Sequence, residues 1–185
     1  SIEHAQMLKP VDIPRFTELG LTASIQPQHA MDDRDVITRF WANPAGIPYP
    51  FKALHDVGTT LRMGSDAPVA PLDPWLAISA AVFGTESSDR EPFQSEQCLD
   101  VRTSLSASTA TGRDRLAAGD PADVVLLDTD PYAATTPEAM RAMPGTRGDD
   151  AIAWCTHVLS EGLGVRRLSP LASTAISCIS RKKQR

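Results

Sequence analysis

The spacing of apolar positions changes period repeatedly along the first hundred residues. Leu21-Thr-Ala-Ser-Ile-Gln-Pro27 and Thr59 to Met63 read as short strands. Around them lie stretches with helical boundaries. Pro10 to Gly20 predicts a short helix with Asp12 as its cap, Pro14 in the first turn and Gly20 just past the end. Residues 33–41 read as helical, and the prolines and glycine of Asn43-Pro-Ala-Gly-Ile-Pro48 suit only a loop. Pro50 to Val57 predicts a helix stopped by Gly58, and residues 73–83 predict another, with Asp73 as cap and Pro74 at its first position. Such alternation of strand and helix predicts an α/β fold with a parallel sheet.

The pattern changes after a predicted helix over residues 95–107. Residues 112–123 are turn-rich, Val124 to Asp128 is a compact apolar strand, and Thr136 to Met143 is a helix capped by Thr136. A boundary near residue 112 follows, giving a first unit over 1–112 and a second over 113–165. Residues 151–159 can form a strand in the second unit. Residues 166–185 are expected to be a mobile tail, ending in the basic run Ser180-Arg-Lys-Lys-Gln-Arg185.

Composition narrows the function. The chain has 185 residues, is 42% hydrophobic and 22% charged, and carries a formal charge of −5, which suits a folded globular protein. Scattered acidic charge gives no general attraction for nucleic acid or anionic lipid, so neither is an expected partner. Trp75 to Gly84, the longest apolar stretch, is too short to span a bilayer, and no charged segment followed by an apolar one opens the chain. Cys98, Cys155 and Cys178 are far apart with no Cys-x-x-Cys, so a reduced, cytoplasmic setting is expected.

Candidate chemistry lies where strands end. Ser1-Ile-Glu-His-Ala-Gln6 resembles the close of a strand with His4 at its junction with a loop, and Thr59 to Met63 delivers Gly64-Ser65-Asp66. In parallel α/β barrels the C-terminal ends of the strands present the reactive groups, and each of the eight βα units takes about 31 residues. His4 and Asp66 lie 62 positions apart, the span of two such units, and His29 falls in the intervening one. Each residue alone has an ordinary reading: a lone histidine is usually structural, and Gly-Ser-Asp is a common turn. His55 and His157 take the structural reading.

The flanking residues alter those readings. Ile2-Glu-His-Ala-Gln6, Ala23-Ser-Ile-Gln-Pro-Gln-His-Ala30, Tyr49-Pro-Phe51, Met63-Gly-Ser-Asp-Ala-Pro-Val69 and Pro71-Leu-Asp-Pro-Trp75 follow one another in an order and spacing that resemble the amidohydrolase superfamily, in its YtcJ-like branch. Gly119-Asp-Pro-Ala-Asp-Val-Val-Leu-Leu-Asp-Thr-Asp-Pro131 is similar to the strand that leads such enzymes into a small β-sandwich domain. The resemblance covers about residues 2–131. It implies the last three strands, sixth to eighth, of a (β/α)8 TIM barrel followed by a β-sandwich segment.

The resemblance also assigns roles. His4 matches a metal-binding histidine after the sixth strand, and Asp66 matches the eighth-strand aspartate that binds metal and shuttles the proton of the activated water. His29 matches a substrate-contacting position. The implied cofactor is a divalent metal, zinc by preference, and the implied substrate is a small molecule with an amide or related C–N bond. Catalytic zinc sites use three protein ligands and an open position, while the resemblance supplies only His4 and Asp66 as ligands. An incomplete, inactive fragment is therefore expected, prone to homo-oligomeric association through open sheet edges. A non-catalytic association module that keeps part of the fold is the alternative.

Overall fold

The computed structural model describes residues 1–41, 46–109, 112–113, 125–127, 129–143 and 176–177. In chain order the strands are β1 (Ile2–Glu3), β2 (Met7–Leu8), β3 (Thr22–Ile25), β4 (Ile47–Pro48), β5 (Thr60–Met63), β6 (Val125–Leu126) and β7 (Ile176–Ser177). The helices are α1 (Ile13–Glu18), α2 (Pro27–Phe40), α3 (Phe51–Asp56), α4 (Pro74–Phe83), α5 (Val101–Ser108) and α6 (Pro137–Arg141).

The predicted parallel sheet is present. Its order is β1-β3-β5, so spatial order follows chain order, and helical segments make the crossovers. Ile2 aligns with Ala23 and Leu61, and Glu3 with Ser24 and Arg62. Side chains alternate across a strand, so the two faces differ. Ala23, Ile25 and Leu61 are buried against Phe16 of α1, Met31 of α2, Leu54 of α3 and Ala81 of α4. The opposite face carries Glu3, Ser24 and Arg62, none of them buried.

Helix α4 joins this core to a second one. It is apolar all round, as a helix covered on several sides must be. Ala80 and Ala81 face the first cluster, while Trp75 and Ile78 pack with Leu105, Leu127, Met140 and Met143. Asp73 caps α4 by accepting the Trp75 amide at 2.9 Å, as its sequence predicts. At the other end Gly84 has φ 62°, and a Cβ there would lie 2.9 Å from both the Phe93 carbonyl oxygen and the Cys98 sulfur. Only glycine fits that stop.

Several elements differ from expectation. Helix α2 starts at Pro27 rather than after Asp32, because a proline's fixed φ and missing N–H suit the first helical turn. His29 thus belongs to a helix and not to a loop. Asp12 makes no side-chain cap; its carboxylate instead accepts from Arg15 Nη1 at 2.7 Å. The helix predicted over 95–107 is broken into a 3-10 turn at Ser95–Gln97 and α5, because Asp100 caps a new start by accepting the Thr103 amide.

Within the loop expected over 43–48, Ile47–Pro48 pair antiparallel with Met7–Leu8. Gly46 makes that approach feasible, since a Cβ there would lie 2.6 Å from the Leu8 carbonyl oxygen. Residues 42–45, most of 112–123, and the strand expected at 151–159 lie outside the described residues, as do His157, Cys155, Cys178 and the basic run at 180–185. In the stretch expected to be a tail, Ile176–Ser177 pair antiparallel with Val125–Leu126. Among the described residues, no helix is long and apolar enough to cross a membrane.

Candidate metal centre

Because β1, β3 and β5 are parallel, their C-terminal ends open on one side of the sheet. His4 follows β1 directly, Gln26 and the first turn of α2 follow β3, and Gly64-Ser65-Asp66 follows β5. The Gly64 amide donates to the Ile25 carbonyl at 3.0 Å, extending the β3–β5 ladder to the threshold of Asp66. His29 lies on the third helical residue of α2, immediately beyond the middle strand.

Neighbouring strands lie about 4.8 Å apart, so β1 and β5, separated by β3, stand about 9.6 Å apart. His4 Nε2 and Asp66 Oδ2 are nonetheless only 3.8 Å apart. The backbone explains how. His4 has φ 66°, Ala5 φ 44° and Asp66 φ 52°, all left-handed, so both chains turn sharply at the strand ends. Such conformations cost about 1–3 kcal/mol each and persist where surrounding structure holds them.

The third group completes the cluster. The His4 and His29 rings stack with centroids 5.8 Å apart and an interplanar angle of 20°. His4, His29 and Asp66 each offer one ligand atom, and these atoms lie within 4.8 Å of one another. His29 Nε2 is shielded from solvent and has no hydrogen-bond partner. A buried nitrogen without a partner is costly, and a cation or a substrate group would satisfy it. The Asp66 side chain keeps 47% of its exposure, so the cluster is open to solvent on that side. Two imidazoles and a carboxylate form a donor set that fits zinc or a similar divalent ion.

Nearby groups steady the frame. The Ser24 hydroxyl, and then that of Ser1, hold the Glu3 carboxyl below its ordinary range. Gln28, beside His29, donates to Glu86 Oε1 at 2.9 Å and accepts from Arg141 at 3.4 Å, tying α2 to α6. Gln26 is buried with Oε1 unpartnered, close to the same strand end.

The structure brings together all three residues singled out in the sequence. His4 and Asp66 are neighbours on one side of the sheet, as a shared site requires. His55, read as structural, sits away on α3 with its Nδ1 3.6 Å from Asp56. Sequence reasoning did not single out Asp33, which accepts from the Gln6 side chain and the Tyr49 hydroxyl. Its position four residues after His29 signals a shared helix face once Pro27 is taken as the helix start.

A model of the amidohydrolase family matches residues 1–162. The chain belongs to the amidohydrolase family. Its YtcJ-like character is borne out by Bacillus subtilis (strain 168) YtcJ, a protein named as an amidohydrolase, which is 29% identical over 142 residues. That alignment covers 70% of this chain and 27% of YtcJ. The Arabidopsis thaliana protein Long after far-red 3 is 39% identical over 83 residues, 44% of this chain and 14% of that protein. The chain thus spans about a quarter or less of the curated relatives it matches. A metal-dependent hydrolase of Pyrococcus horikoshii, known by its crystal structure, is similar over 60% of this chain and 23% of its own, with 26% identity and a TM-score of 0.49.

Proposed function

We propose that this chain forms part of the active site of a metal-dependent amidohydrolase acting on an amide or related C–N bond of a small molecule. One observation carries the reading: two imidazole nitrogens and a carboxylate oxygen converge within 4.8 Å at the C-terminal end of a parallel sheet. His4 and Asp66 would hold the ion, with His29 facing the same point. When bound, a divalent cation, zinc for this donor set, would lower the pKa of a water far below its bulk value, to about 7.

The residues of the chain supply the remaining tasks. Asp66, half exposed, accepts a proton from the attacking water and returns it to the departing nitrogen as the C–N bond breaks. His29 Nε2, unpartnered and shielded, donates to the carbonyl oxygen as negative charge grows there. His4, carried on the strand end by its left-handed backbone, would help hold the ion beside Asp66.

The strands β1, β3 and β5 are read as the sixth, seventh and eighth strands of a (β/α)8 barrel, and residues 113–165 as a β-sandwich segment. Parallel pairing in chain order and a polar face opposite the helices support the barrel reading. The donor set has at most three members among the described residues, and His29 is needed at the substrate, so catalysis by this chain alone is not expected. Apolar side chains left in solvent, Leu72 at 82% and Val69 at 68% exposure, favour a second role in association.

Metal analysis with a hydrolase assay on the 185-residue chain tests this function. One divalent ion per chain is expected, lost in His4→Ala and Asp66→Ala, with no turnover of simple amides. Metal uptake indifferent to both substitutions would remove the reading, and turnover by the chain alone would refute the incompleteness of its site.

A further inference from the structure

The stacking of His4 on His29 joins two separate pieces of chain, and something must fix their separation. Asp33 lies four residues after His29 on α2, one helical turn along the same face. A single oxygen of its carboxylate, Oδ2, accepts from the Tyr49 hydroxyl at 2.5 Å and from the Gln6 side-chain amide at 2.8 Å. Gln6 is only two residues beyond His4. Its carbonyl in turn accepts the Tyr49 amide at 2.7 Å. The segment that carries His4, the helix that carries His29 and the residue after β4 are therefore closed into one ring of contacts.

Tyr49 is built for that junction. It is buried, at 3% exposure, and its backbone is left-handed with φ 46°, a conformation a tyrosine keeps only when its surroundings insist. Burial, followed by the hydrogen bond to Asp33, pushes its phenol far above the ordinary range, so it stays a donor. The antiparallel pairing of Met7 with Pro48 and Leu8 with Ile47 braces the same segment just beyond Gln6.

We propose that Asp33, gripping Gln6 and Tyr49 through one carboxylate oxygen, is a positioning residue that sets the separation of His4 and His29. The metal half of this inference rests on the function proposed above; the geometric half does not. A purely structural Asp33 would lower stability when removed and leave the two rings where they are. A positioning Asp33 moves one ring against the other.

The full 185-residue chain is compared with Asp33→Ala, Asp33→Asn and Tyr49→Phe. Asp35→Ala serves as control, because Asp35 lies on the same helix but ion-pairs outward with Arg90. Two signals are read: the nuclear Overhauser contact between the ring protons of His4 and His29 without metal, and the affinity for Co²⁺ by visible absorption. Asp33→Ala loses the contact and binds Co²⁺ roughly 10–100-fold more weakly, the usual cost of removing an outer-shell support. Asp33→Asn, whose amide oxygen still accepts both bonds, retains contact and affinity, and Asp35→Ala changes neither. An Asp33→Ala chain that melts earlier yet keeps the ring contact and the affinity overturns the proposal. If Asp33→Ala does not fold, Tyr49→Phe, which keeps the ring and deletes one bond, decides by the same criteria. Wild-type chain that takes up no Co²⁺ defeats the metal reading, while the ring contact still decides the positioning claim.

Discussion

At the scale of single residues, the centre depends on backbone conformations that most side chains avoid. His4 and Asp66 lean over the middle strand because both are left-handed, and histidine and aspartate tolerate this better than branched residues do. Elsewhere a carboxylate does structural work. Glu138 accepts the amide and hydroxyl of Ser88, and these bonds, the backbone one first, hold its carboxyl down at about 2. A pKa depressed on folding contributes stability that is present above the unfolded value of 4.5 and is lost as pH falls through about 2. Acid titration of α6 docking, followed by amide exchange in residues 137–141, should show loosening across that window. Glu138→Gln should flatten the dependence, with only a small effect near neutral pH because the group is exposed. His4 and Asp66 were legible in the sequence because strand ends and their spacing announce them. Asp33 was not, since its place one turn beyond His29 appears only when the helix is seen to start at Pro27.

At the scale of elements, α4 is the pivot between two cores. Trp75 and Ile78 are fully buried against Leu105, Met140 and Met143, while Ala80 and Ala81 pack toward the sheet. Trp75→Ala should cost about 3–5 kcal/mol, read as a fall in the urea midpoint of the whole chain. A loss under about 1 kcal/mol would mean that the second core is not cooperative with the first. Helices announced by their ends were read well: Asp73 before Pro74, and Thr136, whose hydroxyl accepts the Ala139 amide at 3.2 Å. Elements made by tertiary contact were not. The β2–β4 pair is two residues a side and has no periodicity to display. The break before α5 depends on the Leu99 amide reaching the Ala81 carbonyl at 2.8 Å, a contact 18 residues distant in sequence.

At the scale of the molecule, the described residues form a three-stranded parallel sheet with β1 and β5 at its edges and helices on one face. An edge left without a partner invites pairing, and a face bearing Glu3, Ser24 and Arg62 is suited to a polar interior more than to bulk packing. Light scattering over a range of concentrations should show mass rising above 19.9 kDa as the chain is concentrated. A constant monomer mass would argue that the edges are adequately protected. The parallel order of the sheet was legible because helix and strand alternate, whereas the polar face emerges only from the register of the three strands.

The central claim, that His4, His29 and Asp66 face one bound divalent cation, is tested most directly by anomalous diffraction at the zinc edge from crystals of the zinc-loaded chain. The account predicts one strong peak at the C-terminal end of the sheet, about 2.0–2.2 Å from His4 Nε2 and an Asp66 carboxylate oxygen. Zinc bound only elsewhere, with His4 and Asp66 still 3.8 Å apart and empty-handed, would contradict it.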